Sequence, residues 1–334
     1  MKKYLKYLAI AVAILALIVT VIPILLTFYL DARYHYEPSY DEQFPVTVDP
    51  VNKIIIEDEK VEAYLQSRHF ATPATTIFST NRFEEIFLGL AVSISEILED
   101  NNLALVSSEK FVTITPGLRK EEVANAFARA LGWNDKEKKE FMNPQKNENL
   151  PLTEGSFPPG VYAVQRGSKS LDVQDLVNER FTNIVLSRYG TTTSEIVPLN
   201  VALTVASLIQ RETIGTEDMR MISGIIWNRI FSGMKLQLDA TLQYTRANSK
   251  KTTVWWPEVR PQDKFIKSPY NTYIHSGLPP APIANPSVAA IIAALNPFKT
   301  TCIFYFHDND GDLHCSRTYE EHVALLKKFY GRGR

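Results

Sequence analysis

The residues best suited to chemistry lie in the second half of the chain. Glu212 ends a stretch in which positions 201, 205, 208 and 212 follow the i, i+4, i+7, i+11 spacing of one helix face, placing its carboxyl in line with Val201, Val205 and Leu208. A carboxyl that continues an apolar stripe is partly withdrawn from water, which favours its protonated form. That is the state a general acid needs near neutral pH. A plain helix end, with the carboxyl turned to Arg211 or to solvent, fits the same pattern. Asp239, in Leu236-Gln237-Leu238-Asp239-Ala240-Thr241, offers a second catalytic carboxylate, or else the N-cap of a helix over 240–247.

The run Ser268-Pro269-Tyr270-Asn271-Thr272-Tyr273, followed by Gly277-Leu278-Pro279-Pro280, is a proline-fixed loop carrying two tyrosines and an amide. Rings stack on sugar faces and amides bond hydroxyls, so it suits a sugar surface; a turn-rich connector with buried tyrosines fits equally. Trp255 and Trp256 lie among Lys250, Lys251, Arg260, Lys264 and Lys267. They fit either stacking on sugar or lipid, or packing inside.

Metal signals are weak. The histidines fall at 35, 69, 275, 307, 314 and 322 with no H-E-x-x-H, although 307, 314 and 322 are near enough in sequence to allow a zinc cluster. Asp308, Asp310 and Asp312 alternate as in a calcium loop, but Gly311 falls at loop position four and Tyr319 stands where a glutamate is needed, so a hairpin turn explains them better. No Walker, Rossmann or G-x-S-x-G pattern is present, and nothing implies a metal or organic cofactor. Cys302 and Cys315 lie on opposite strands of the expected hairpin; a disulfide or two free thiols both fit.

Taken together, several of these segments resemble the MltG (YceG-like) family of endolytic murein transglycosylases. The resemblance rests on Ala206-Ser207-Leu208-Ile209-Gln210-Arg211-Glu212-Thr213, Ile226-Trp227-Asn228-Arg229-Ile230 and Gly233-Met234-Lys235-Leu236-Gln237-Leu238-Asp239-Ala240-Thr241. It extends to the two loop motifs at 268–273 and 277–280, and to Asn296-Pro297, Tyr305-Phe306, Gly311, His314 and Glu321-His322. It is dense over about 200–326. Upstream, Glu154-Gly155, Pro159 and Tyr162 look like a family segment in which Gly160 and Val161 replace Asp and Thr, and about 108–140 looks like a small LysM-like wall-binding unit. Residues 53–105 match poorly, and glycan binding is not carried onto them.

The resemblance implies a lytic mechanism. One carboxyl protonates the leaving oxygen of the β-1,4 bond between N-acetylmuramic acid and N-acetylglucosamine. The same carboxyl, now ionised, takes a proton from the sugar's own 6-hydroxyl, which closes on the anomeric carbon to give a 1,6-anhydro end. Glu212 matches the family's catalytic Glu, and Gln210 stands where many relatives carry a second Glu. Gln237, Asp239, Tyr270, Asn271, Tyr273 and His314 match motif positions implied to line or support the cleft; Arg229 is implied to orient a neighbour. The implied substrate is peptidoglycan glycan, and the implied partners are penicillin-binding synthases. A two-carboxylate hydrolase using Glu212 and Asp239, and a non-catalytic wall-binding scaffold, are the alternatives.

Positioning these groups requires a mainly helical frame. Helical spacing or capping signals predict helices over 83–98, 120–131 (Val123, Phe127 and Leu131 four apart), 173–189, 201–213, 217–231 with Thr216 as N-cap, 240–247, 286–295 and 319–330. Short strands are predicted at 53–58, 103–107 and 110–114, and a hairpin at 302–307 and 312–316 around Asp308-Asn309-Asp310-Gly311. The charged stretch 134–150 reads as exposed, 151–167 as a structured loop or hairpin, and 268–287 as a long irregular loop.

The N-terminal part is unlike the rest. Residues 8–30 contain 20 apolar residues of 23 and no charge. As a helix they would be about 34 Å long, enough to span a bilayer core. Lys2, Lys3 and Lys6 precede the stretch, and only Arg33 is basic just after it. The positive-inside bias then leaves a cytoplasmic tail at 1–7, an anchor at 8–30 and the remainder outside the cytoplasm. The apolar run is too long for a cleaved signal peptide. Beyond it, 33 basic residues face 37 acidic ones, which gives no electrostatic case for nucleic acid. The expected organisation is a stalk or linker at 31–52, a front module at 53–191 and a catalytic domain at 192–334. The expected fold class is α+β: a single N-terminal transmembrane helix, a small LysM-like α/β front module, and a mainly helical catalytic domain with a β-hairpin.

Overall fold

The computed structural model describes residues 43–67, 109–143, 153–248 and 254–331. The expected anchor at 8–30, the helix at 83–98 and the strand at 103–107 lie outside these residues. Among the described residues no helix is long and apolar enough to cross a membrane.

A small front unit is built on a two-stranded sheet. Strand β3 (Glu109–Ile114) pairs antiparallel with β4 (Gly160–Gln165), Ile114 opposite Gly160. Two helices lie between them in sequence, α2 (Lys120–Leu131) and α3 (Asp135–Met142). Helix α2 occupies the span that its four-residue apolar spacing predicts. Helix α3 corrects the reading of 134–150 as merely exposed. Asn134 caps it by accepting from the N–H groups of Lys136 and Glu137, and it turns Phe141 fully inward among Phe127, Trp133 and Phe157. One aromatic in a run of charges is too little for a periodicity signal, yet it is enough to dock a helix of about two turns. The stretch 151–167 likewise forms no local hairpin, because β4 pairs with β3 across both helices.

The larger core is helical. Helix α4 (Ser170–Ile184) joins the two parts: Val173 and Val177 pack in the front unit, Phe181 and Val185 in the main core. A short helix, α5 (Thr191–Ile196), precedes the central helix α6 (Leu199–Glu212). Pro198 stands at the start of α6, where its fixed φ and missing N–H are harmless. Residues 202–209 are all buried, so α6 is enclosed nearly all round rather than along one stripe. It packs on α7 (Met219–Phe231), α8 (Asp239–Asn248) and α9 (Val288–Leu295). Helix α9, Val-Ala-Ala-Ile-Ile-Ala-Ala-Leu, is buried at every position, and its alanines let neighbouring helices approach closely. Thr216 does not cap α7: the helix begins at Met219 with Asp218 before it.

The chain closes with the hairpin β5 (Phe304–His307) and β6 (Leu313–Ser316) and with α10 (Tyr319–Tyr330). The hairpin register sets Tyr305 opposite Cys315 and Phe306 opposite His314. The described part of the expected stalk is not a free linker. From residue 43 onward it folds back, with Phe44 and Val48 buried in the main core. The Thr47 N–H bonds to the Leu295 carbonyl at 3.0 Å, and β1 (Val48–Asp49) pairs with β2 (Ile54–Ile55). Leu65, on α1 (Glu59–Ser67), joins the same core, so this core draws on residues on both sides of the front unit.

Candidate active site

Glu212 is the last residue of α6, where that helix leaves the core. The residue as a whole is half-buried, and its neighbours withdraw the carboxyl from water. Desolvation pushes its pKa up. The hydrogen bond from Tyr305 opposes this, the nearby Asp239 carboxyl adds to it, and the Ala240 N–H and Arg229 guanidinium pull the other way; the net direction is upward. The Tyr305 hydroxyl donates to Glu212 Oε2 at 2.8 Å. Burial, reinforced by the Glu212 carboxyl, holds the phenol far above its usual pKa, so it remains a proton donor.

Asp239 opens α8 on the exposed side and serves as a first-turn residue rather than a cap. Its Oδ1 accepts the Tyr273 hydroxyl at 2.6 Å. Gln237, two residues earlier and exposed, holds a left-handed backbone with φ 52°. Its N–H reaches the Thr272 carbonyl at 3.1 Å, and the Leu238 N–H reaches Thr272 Oγ1 at 3.0 Å. The buried Thr272 therefore ties the 236–241 segment to the 268–273 loop. Arg229 binds the same parts from below. Its Nε donates to the Ile303 carbonyl at 2.7 Å and its NH1 to the Leu236 carbonyl, joining the lead-in of β5 to the segment before Asp239.

The structure thus brings together Glu212, Asp239, Tyr273 and Tyr305, with Gln237 at the edge. Other expected site residues serve different ends. Asn271 is fully buried, and its amide is used on the backbone: Nδ2 donates to the carbonyls of Lys264 at 3.1 Å and Ile266 at 2.8 Å, and Oδ1 accepts from the Tyr273 N–H at 2.9 Å. It shapes the loop and has no amide group left for a sugar hydroxyl. Tyr270 is half-buried and packs its ring on Tyr244, 4.8 Å between centroids. His314 lies next to Cys315, on the opposite face of the hairpin from Tyr305, because successive strand residues alternate. It bonds Asp308 at 2.7 Å and packs on Phe329 of α10, so it supports the hairpin from behind rather than lining the cleft. Gln210 is structural as well: its Oε1 accepts the Ser287 N–H at 3.0 Å, at the start of α9.

The remaining signals resolve in the same way. Asp308 accepts from the N–H groups of Asp310 and Asp312, both at 3.0 Å, so the alternating acids form a hairpin turn. His307 pairs with Asp218 and His314 with Asp308, while His322 stacks on Phe304; among the described residues no cluster of three or more potential ligands is gathered. Cys302 and Cys315 form a disulfide that staples the hairpin beside Tyr305. Trp255 and Trp256 are half-buried, each against an arginine: Arg119 lies 5.0 Å from one ring and Arg211 3.8 Å from the other. Trp256 Nε1 also donates to Glu122 of α2 at 3.0 Å, so this pair joins the front unit to the end of α6. Tyr305 and Thr272 gave no chemical signal of their own in the sequence. In the sequence both stand only within motifs of the family resemblance, Tyr305-Phe306 and 268–273.

The sequence model of the YceG-like family matches residues 90–328. An endolytic murein transglycosylase of Bacillus subtilis is 29% identical over 241 residues, covering 65% of this chain and 64% of that protein. One of Streptococcus pneumoniae is 29% identical over 191 residues, covering 54% of this chain and 34% of that protein. The chain thus spans less than two thirds of the length of these curated relatives. A solved YceG-like protein of Listeria monocytogenes has the same fold, with a TM-score of 0.55 at 23% identity over 70% of this chain and 81% of that one. By its sequence match, with the same fold in a solved relative, the chain belongs to the YceG-like family.

Proposed function

We propose that the chain is an endolytic lytic transglycosylase of peptidoglycan, cleaving the bond between N-acetylmuramic acid and N-acetylglucosamine within glycan strands to leave 1,6-anhydro ends. The observation that carries this is the Glu212 carboxyl. It is desolvated, with its pKa raised, at the end of the central helix beside Tyr305 and the exposed Asp239–Tyr273 pair. A carboxyl that holds its proton more tightly than usual can give that proton to the leaving oxygen. Once ionised it takes the proton of the 6-hydroxyl, the oxygen closes on the anomeric carbon, and Glu212 ends as it began. The names of the curated relatives support the same reaction.

A hydrolase in which Asp239 activates water is the second reading, favoured by the electrostatic influence of Asp239 on Glu212. Digestion of uncrosslinked peptidoglycan with mass spectrometry of the chain ends separates the two. Anhydro ends support the lytic reaction, and products heavier by one water favour the hydrolase. Glu212→Gln is expected to abolish cleavage. If that variant still shortens strands at the wild-type rate, Glu212 is not the acid; a wild type that binds sacculi without cutting them leaves a scaffold.

The apolar stretch at 8–30 and the lysines before it support a single-pass anchor with the catalytic part outside the cytoplasm. So held, the enzyme would meet strands as membrane-bound synthases release them. The stretch at about 108–140 within the front unit is read, on its resemblance, as a LysM-like wall-binding element.

A further inference from the structure

The lytic reaction asks one carboxyl to act twice, first as acid and then as base, on two different oxygens of the same sugar. Such a carboxyl has to keep its orientation through the change of charge. Three features bear on how it does so. The Tyr305 hydroxyl donates to Oε2 of Glu212 at 2.8 Å. Tyr305 is itself held firmly: it sits in register with Cys315, the disulfide to Cys302 closes the hairpin at that level, and Arg229 grips the Ile303 carbonyl two residues before it. The phenol also stays protonated, so the donor is present whether Glu212 is neutral or ionised.

We infer that Tyr305 is a positioning residue of the reaction, holding Oε2 of Glu212 through both the acid and the base step, where the carboxyl is also faced by the Ala240 N–H, Asp239 and Arg229. When the proton leaves for the glycosidic oxygen, the bond from Tyr305 becomes charge-assisted and strengthens. It therefore stabilises the ionised state in which Glu212 awaits the 6-hydroxyl proton, more than it stabilises the resting acid. Tyr305 acts through Glu212. This assignment rests on the lytic reading of the site.

Tyr305→Phe in the full chain, assayed on uncrosslinked peptidoglycan across pH, tests it. Losing a hydrogen bond to a charged group predicts a fall in kcat of about ten- to a hundredfold with KM little changed. Cleavage declines at alkaline pH as Glu212 loses its proton. Removing a donor that favours the carboxylate raises its proton affinity, so the alkaline limb moves to higher pH in the variant. A lowered rate with an unmoved limb would reduce Tyr305 to a packing role, and an unchanged rate overturns the inference outright. If the phenylalanine variant fails to fold, 3-fluorotyrosine at position 305 gives the converse test: a nearly isosteric, stronger donor shifts the limb to lower pH, and no shift overturns the assignment. Chain-end analysis judges the lytic reading separately. Water-bearing ends with a shifted limb overturn the lytic role while keeping the bond to Glu212, and no cleavage by the wild type overturns both.

Discussion

Individual residues differ in how much of their role the sequence reveals. The face-sharing of Glu212 with Val201, Val205 and Leu208 was legible, because a desolvated carboxyl is a property of spacing. Asn271 was half legible: its loop was visible, but its three backbone partners lie at positions 264, 266 and 273 and become evident only when the chain folds. Gln237 shows the opposite case, a residue whose strain no sequence pattern announces. Gln237 and Lys53 are the described residues other than glycine with positive φ. A left-handed residue with a side chain carries a conformational cost of about 1–2 kcal/mol, and such cost collects at functional sites. Glycine removes it, at an entropic cost of roughly 0.5–1 kcal/mol. Gln237→Gly is therefore expected to leave stability unchanged or raise it by up to about 1 kcal/mol in urea melts, while raising KM for glycan severalfold. A clear loss of stability, or unaltered KM, would show that the side chain serves the fold instead.

Elements were read best where a local pattern decides them. Helix α2, helix α10 and the hairpin occupy their expected spans because apolar spacing, caps and turn residues suffice. Helix α3 was missed because a single buried phenylalanine docks it, and the β3–β4 pairing because it joins strands separated by two helices. Close approach is the third kind of information that spacing omits. Gly224 sits inside α7, where intrinsic propensity favours alanine by about 1 kcal/mol. Yet a Cβ built at Gly224 falls 2.2 Å from the Phe298 carbonyl oxygen, a segment itself anchored by the Phe298 N–H on the Arg220 carbonyl at 2.9 Å. The clash is with backbone, which cannot swing aside as a side chain can. Gly224→Ala is expected to destabilise by at least about 2 kcal/mol despite its helical advantage. A thermal melt at or above wild type would mean that the 298 segment yields freely.

At the scale of the whole molecule, the seam between the front unit and the helical core is the feature a linear reading blurs most. A boundary near residue 191 suits the change of sequence texture, but the two cores meet through residues far apart in sequence. Asn285 joins them: its backbone pairs with Gly117 and Leu118, its Oδ1 accepts from Gly155 and Phe157, and its Nδ2 reaches Glu154. Glu154 is buried there, 6% exposed, with Oε1 accepting from the Lys120 N–H and from Asn285, and Oε2 unpartnered. Burial, with the Glu121 carboxyl beside it, raises its pKa to about 8. The groups facing it are Arg119, Lys120 and Glu121 from the front unit, and Tyr244 and Tyr270 from the helical core. Because the folded state holds this proton far more tightly than the unfolded chain, whose reference lies near 4.5, its contribution is fully present below that value. It is lost as pH rises toward 8, by an amount on the order of several kcal/mol. Glu154→Gln keeps an acceptor for Lys120 and Asn285 and cannot ionise. The expected result is that the wild type and Glu154→Gln differ least near pH 4.5, and that the variant gains on the wild type steadily up to pH 8 in parallel thermal melts. Above pH 8 the wild-type deficit levels off, since both states are then ionised. Parallel pH profiles for the two proteins would mean that Glu154 is not held protonated in the seam, and that the front unit is joined to the helical core by Asn285 and the tryptophan–arginine contacts without help from a buried acid.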